Sequence, residues 1–249
     1  MPGDSVTSYG DDLAVVTVTR SAAPVDRLLG SLPAALTRPH RVVVAHSGTA
    51  PGPAVPDGVE VLVLGEDVGR AAAANRAIAG LDRSVGWVAL SDPGVAWGAG
   101  ALDALLAAVR PRAAALGPRL RDPTGRGVVS GGALPTVRDA LRGRLGTPAG
   151  AGVVGWVPAS AVLLRRAALD SVDGFDPRYV GAWDDVDLGD RLGRAGWLTL
   201  HVPEAETVVH PMEGPGMLEP HGVTVRRYVS DRGNPIARAF AALAGRLRR

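Results

Sequence analysis

A chain of 249 residues, 46% hydrophobic and 21% charged, can bury a sizeable core as one domain. The formal net charge is only +2, which removes nucleic acid from the expected partners. With no cysteine, disulfides, thiolate catalysis and zinc–thiolate sites are excluded. Every basic residue is arginine, and the excess of Ala, Gly, Val and Pro points to a GC-rich genome. Arginine also suits planar, bidentate contacts to phosphate. The polar start MPGDSVTSYGDD carries no secretory pattern, and the longest apolar run, 153–164, is too short to cross a bilayer. A cytoplasmic location is expected.

In chain order, the β-branched run 13–19 (LAVVTVT) predicts a buried first strand. Val25, Leu28, Leu29 and Leu32 then fall at helical spacing within 24–36. Strands are expected at 41–45 and 59–64, an Ala-rich helix at 69–81, a fourth strand at 87–90 and a helix at 99–109. After an apolar segment at 113–116, the pattern dissolves into Gly, Pro and Arg over 118–157, with a short helix around 137–145. Such an irregular stretch inside a compact domain is expected to be a substrate loop. Strand character resumes at 162–164 and again at 197–202 and 207–209. Strands alternating with helices predict an α/β fold with a mostly parallel sheet. At the C-terminus, Ile236, Phe240, Leu243 and Leu247 share one helical face, with Arg238, Arg246, Arg248 and Arg249 around it. A basic amphipathic helix of this kind can lie in an anionic membrane interface or dock on its own domain.

The segment 174–197, GFDPRYVGAWDDVDLGDRLGRAGW, is the most informative. It gathers Asp176, Asp184, Asp185 and Asp187 around the start of a helix-like stretch. One or two acids at a helix N-terminus meet the positive end of its dipole. Four acids repel one another unless something positive or protic lies between them.

This segment resembles the acidic motif of the family 2 glycosyltransferases, through Gly174, Phe175, Asp176, Arg178, Tyr179, Asp184, Asp185, Asp187, Leu188, Arg191, Gly196 and Trp197. The resemblance implies a GT-A-like, Rossmann-type three-layer sandwich with a mostly parallel central sheet, and assigns the general base to Asp185. Crowding by Asp184 and Asp187 should raise the proton affinity of that carboxylate, which suits a base. Asp184 is expected to orient the helix and meet the acceptor, while Asp187 reads at least as well as a plain first-turn acid. The family's metal signature after the fourth strand corresponds to Asp92, Pro93 and Gly94, so the closing acid is absent. A divalent cation, Mg2+ or Mn2+, held by Asp92 and His210 is the implied cofactor. A tight Asp-Pro-Gly turn and a structural histidine are the alternatives. Donor contacts are implied for His46, Ser47, Arg70 and Asp92, although the acid expected after the second strand is replaced by His46. Asn75 is read as a tie for its helix. Trp156 could stack on an acceptor sugar or fill the core.

Several stretches, among them VTVTRSAAPVDRLLGSL, ALGPRLRDPTG and VGWVPAS, are similar to a narrower group, the actinobacterial rhamnosyltransferases that build the cell-wall linker on a polyprenyl diphosphate. That likeness implies transfer of L-rhamnose from dTDP-rhamnose, with inversion, to N-acetylglucosamine on a lipid diphosphate. The expected organisation is a transferase domain over 1–222 and a basic amphipathic helical tail over 223–249, which a lipid-embedded acceptor would give a peripheral contact at the inner face of the plasma membrane; a homodimer is a further expectation. The competing reading is a paralog that keeps the fold, has lost catalysis and serves as a binding scaffold. Convergence of Asp92 and His210 near Asp185 separates the two. A sugar nucleotidyltransferase would need a Gly-rich, Lys-bearing loop after the first strand, and TRSAAPVD is not one.

Overall fold

The computed structural model describes residues 9–20, 25–142, 144–145, 150–210 and 221–232. In chain order these form β1 (Asp12–Thr19), α1 (Asp26–Ala35), β2 (His40–His46), β3 (Val59–Val63), α2 (Arg70–Ala79), β4 (Val85–Ser91), β5 (Val95–Trp97), α3 (Ala101–Ala107) and β6 (Ala113–Arg121). There follow α4 (Val137–Leu141), β7 (Gly152–Val154), β8 (Ala161–Arg165), α5 (Arg166–Asp170), α6 (Asp184–Arg194), β9 (Leu198–Val209) and α7 (His221–Arg232).

The strands join one sheet in the order β3-β2-β1-β4-β8-β6-β9-β5, with β7 paired to β9. Side chains alternate across it, as the pleat requires. Leu13 and Val15 of β1 share a core with Leu28 and Leu32 of α1 and Leu102 and Leu105 of α3. Ala14 and Val16 share the other with Ala74 and Ile78 of α2 and Leu188 and Leu192 of α6. The result is three layers, helices on both faces of the sheet.

The sheet is mostly parallel: β3, β2, β1, β4, β6 and β9 share one direction. β3, β2, β1 and β4 run parallel, whereas β8 is antiparallel to both β4 and β6. Helix α1 lies between β1 and β2 and helix α2 between β3 and β4, but β8 is reached through the long 122–160 excursion and enters from the opposite end. The stops expected after 116 and 202 do not end strands. β6 and β9 continue past both, because the pairing slips between Pro118–Val202 and Arg119–Glu206 and so needs no N–H from Pro203. Two short elements, β5 and α5, carry too few residues to show a period in the sequence.

Helix α7 runs across the expected boundary at 222. Its Val225, Tyr228 and Val229 pack with Trp156, Tyr179, Trp183 and Val186 in a third cluster. The amphipathic positions 236–247 lie outside the described residues. Among the described residues, no helix is long and apolar enough to cross a membrane.

Candidate active site

Brought together at the C-terminal ends of the parallel strands are Arg20 after β1, Ser47 after β2 and Asp92 after β4. Crevices at this edge are where open α/β sheets bind ligands. The Asp92-Pro93-Gly94 segment is indeed a tight turn, closed by Val95 N–H donating to the Asp92 carbonyl at 3.0 Å. It is clipped from both sides: Asp92 N–H donates to Ser160 O at 2.7 Å, and His210 N–H donates to Gly94 O at 2.9 Å. His210 is therefore beside the turn through its backbone.

The charged centre is built around Arg70, the first residue of α2. Its Nη2 donates to Asp184 Oδ2 at 2.9 Å, its Nη1 donates to Ala159 O at 3.2 Å, and Nη1 lies 3.8 Å from Asp92 Oδ1. The guanidinium also sits 5.9 Å from the centre of the Phe175 ring. Burial disfavours the charge on Arg70, but Asp184, Asp92 and Asp185 outweigh it and hold its pKa above the ordinary arginine value. Asp92 is raised by burial, with Arg70 pulling the other way and Asp184 adding to the rise. Here is the positive group that the crowded acids require, and its partner lies 114 residues away in sequence.

Asp185, the second residue of α6, stands beside this pair. Its Oδ1 accepts from Val186 N–H at 2.8 Å, and its Oδ2 receives a long contact of 3.4 Å from Ala159 N–H. Burial and then the neighbouring Asp184 push its carboxyl from 3.8 up to about 7, against the pull of Arg70 and the two backbone donors. A carboxylate poised near neutrality can take a proton from a hydroxyl and release it again. Directly before α6, Trp183 adopts a left-handed backbone, φ 72° and ψ 0°. That conformation costs a non-glycine residue about 1–2 kcal/mol, so the surrounding packing must impose it.

The Gly174–Tyr179 turn is tied to this centre from two directions. Asn75 of α2 donates to Phe175 O at 2.7 Å and accepts from Phe175 N–H at 2.9 Å, extending the anticipated tie from its own helix to the turn. Gly174 has φ +68°, and a Cβ there would lie 2.6 Å from Asn75 Oδ1. Arg191 bonds Asp187 at 2.7 Å and the carbonyls of Val172 and Gly174 at 2.6 and 2.7 Å. Asp187 is thus more than a first-turn acid: through Arg191 it anchors α6 to the turn. At Gly189, a Cβ would stand 2.3 Å from Gly155 O, so α6 can rest on the 155–156 backbone only with glycine there.

Three expected site residues turn inward. His46 is fully buried; its Nε2 bonds the Ala50 carbonyl at 2.7 Å and its Nδ1 pairs with Thr19 Oγ1 at 3.1 Å, leaving neither nitrogen for a nucleobase. Ser47 Oγ is likewise buried, accepting from Val68 N–H at 3.0 Å. The exposed acid in this corner is instead Asp67, paired with Arg20 at 3.1 Å and accepting from Gly69 N–H. The absence of an acid at position 46 is the signal in the sequence that draws attention to it. Trp156 is only 2% exposed and donates from Nε1 to Leu145 O at 3.2 Å, so its ring takes the core role and offers no face to a sugar.

The fit to a divalent metal is limited. Among the described residues, no three His, Asp or Glu side chains gather as a ligand set. Asp92 is the one acid of its turn, Gly94 stands where the second is expected, and an arginine already faces the carboxylate. These residues do not make a metal cage by themselves; a cation would have to take most of its ligands from the donor diphosphate and water.

No family model matches the chain. Among solved structures it is similar to GalNAc-T7 with UDP, GalNAc and Mn2+ (TM-score 0.59, 12% identity, covering 87% of this chain and 47% of that one). It is also similar to a Pyrobaculum calidifontis mannosyltransferase in complex with GDP-Man and Mn2+ (TM-score 0.52, 16% identity, 97% and 81%) and to Staphylococcus aureus TarS (TM-score 0.55, 13% identity, 91% and 68%). At these identities the likeness establishes the GT-A fold alone. The chain spans about half of the length of the GalNAc-T7 chain. Sequence goes further: N-acetylglucosaminyl-diphospho-decaprenol L-rhamnosyltransferases from two strains of Mycobacterium tuberculosis are 39% identical over 242 residues, covering 83% of this chain and 78% of theirs. A single GT-A sheet, an acid near neutrality at the mouth of α6 and identity at this level give one conclusion: the chain belongs to the glycosyltransferase family of the N-acetylglucosaminyl-diphospho-decaprenol L-rhamnosyltransferases.

Proposed function

We propose that this enzyme moves L-rhamnose from dTDP-L-rhamnose to N-acetylglucosamine carried on a polyprenyl diphosphate, with inversion and with Asp185 as general base. The observation that carries the reading is the Asp185 carboxyl itself, pushed up to about 7 at the head of α6 in a chain 39% identical to enzymes named N-acetylglucosaminyl-diphospho-decaprenol L-rhamnosyltransferase. As the acceptor hydroxyl oxygen attacks the anomeric carbon, Asp185 takes its proton. The bond from that carbon to the diphosphate oxygen breaks, and dTDP leaves with the electron pair. Asp184 orients the helix start through Arg70, and Arg70 in turn offers positive charge at the turn carrying Asp92.

Asp92 and Arg70 are the donor-side residues in this reading, with Asp67 and Arg20 at the rim. A divalent cation bound with the donor would neutralise the leaving diphosphate, and Asp92 is the side chain placed to meet it, with His210 beside the same turn. Residues 233–249 are the proposed contact with the lipid surface that carries the acceptor. A silent scaffold is the weaker reading, because Asp92 and Asp184 share one arginine next to Asp185 and His210 is clipped to the same turn.

The test is calorimetric titration of the purified protein with dTDP and UDP, each with and without Mg2+ or Mn2+. It is followed by incubation of dTDP-rhamnose with a short-chain prenyl-diphosphate-linked N-acetylglucosamine. Preference for dTDP and appearance of the rhamnosylated product are expected. Metal-strengthened binding would assign Asp92 to the cation, and Gly94→Asp should then strengthen the response. Absence of any nucleotide binding would sink the transferase reading for this donor class.

A further inference from the structure

Helix α7 reaches the base's helix through one buried aromatic contact. The indole of Trp183, immediately before Asp184 and Asp185, is 4% exposed and packs on Tyr228 of α7 with ring centroids 5.0 Å apart and planes at 57°. Tyr228 is fixed in turn: its hydroxyl donates to Pro135 O at 2.9 Å, and the Arg232 guanidinium lies 4.3 Å from its ring centre. Arg232 Nε donates to Asp190 Oδ2 at 2.7 Å, back on α6. Asp231 accepts from Tyr179 Oη at 3.3 Å and from Arg178 at 3.4 Å, which adds a hold on the turn that leads into α6.

We propose that Tyr228 and Arg232 are positioning residues for Asp185: α7 clamps Trp183 in its left-handed backbone and so fixes the direction in which the Asp185 carboxylate leaves the start of α6. A left-handed aromatic residue has relaxed alternatives nearby, and Trp183 makes no side-chain cap to its own helix. Rotation at position 183 would swing both Asp184 and Asp185 relative to Arg70 and Ala159, which come from other elements. Packing from α7 is what opposes that rotation. General-base catalysis needs the carboxylate within hydrogen-bond reach of the acceptor hydroxyl, and displacement of about 1 Å can cost about a hundredfold in rate. The donor-side residues Arg20, Arg70 and Asp92 stand on other elements than α6, so the Kd for dTDP should change less than kcat.

The proposal rests on the reading of Asp185 as the base, so the experiment carries an Asp185→Asn arm. Tyr228→Ala, Tyr228→Phe, Arg232→Gln and Arg232→Lys would be made in the full chain and checked for folding by thermal melting. For each, kcat for rhamnosyl transfer and the Kd for dTDP would be measured. Tyr228→Ala and Arg232→Gln should lower kcat about tenfold or more with the Kd for dTDP within about twofold. Tyr228→Phe keeps the ring and Arg232→Lys keeps the charge, so each should recover most of the loss. Folded Tyr228→Ala and Arg232→Gln enzymes with wild-type kcat would overturn the proposal. So would equal losses in kcat and dTDP affinity, which mark a merely structural role. If Tyr228→Ala does not fold, Arg232→Gln decides by the same criterion. Turnover retained in Asp185→Asn would bring down the base assignment and the clamp with it; an inactive Asp185→Asn beside a fully active, folded Tyr228→Ala and Arg232→Gln would bring down the clamp alone.

Discussion

Replacing Asp185 by Asn should abolish transfer and, above neutral pH, stabilise the fold. The carboxyl titrates at about 7 in the folded protein against 3.8 ordinarily, because burial and Asp184 disfavour its charge. The folded state therefore binds the proton more tightly than the unfolded chain. Stability tied to Asp185 is fully present below about pH 4 and is lost as pH rises to about 7. Taken at face value the difference corresponds to about 4 kcal/mol, and solvent relaxation around a carboxylate that is not wholly enclosed reduces it to about 1–2 kcal/mol. Asparagine keeps an acceptor for Val186 N–H and has no charge to bury. The melting temperature of Asp185→Asn should exceed wild type by about 3–6 °C at pH 8 and match it at pH 4. Transfer of rhamnose should fall by about a thousandfold or more, with the Kd for dTDP little changed. Melting curves from pH 4 to 8, read beside a single-turnover assay, check both halves. A variant no more stable at pH 8 than at pH 4, relative to wild type, would refute the raised carboxyl. Undiminished turnover would refute the base.

Arg70→Gln removes the one cation shared by Asp92 and Asp184, and at an effective dielectric of about 20 the 3.8 Å pair alone is worth about 4 kcal/mol of attraction. Its loss should raise the Asp185 carboxyl, moving the acid limb of kcat/KM to higher pH and weakening dTDP binding; a limb that stays put or moves down would contradict the network. Asn75→Ala strands the N–H and C=O of Phe175 and should cost about 2–4 kcal/mol in urea unfolding. A change under about 0.5 kcal/mol would show that the Gly174 turn is held without it.

How much of this was legible in the sequence follows from distance along the chain. Asp184, Asp185, Asp187 and Arg191 sit within one helix, so a linear motif displays them, and Gly174 and Phe175 just upstream mark the turn that orients it. The strand–helix alternation likewise announced the layered sheet, since each element's period is written in a few consecutive residues. The antiparallel entry of β8, the passage of β9 through Pro203 and the short β5 and α5 depend on pairing partners that no local period records.

Sequence by itself determined the chemistry available here: a cysteine-free chain with a clustered acid motif, one acid at the turn after β4 and none at 46 or 94. Only the tertiary structure decided which of those groups meet. It paired Arg70 with Asp184 across 114 residues, and it spent both nitrogens of His46 on Ala50 and Thr19. It turned Trp156 into core and set Tyr228 against Trp183. The physical reason is that burial and charge pairing are properties of neighbours in space: the same aspartate is an ordinary acid in the unfolded chain and titrates near 7 once desolvated beside another.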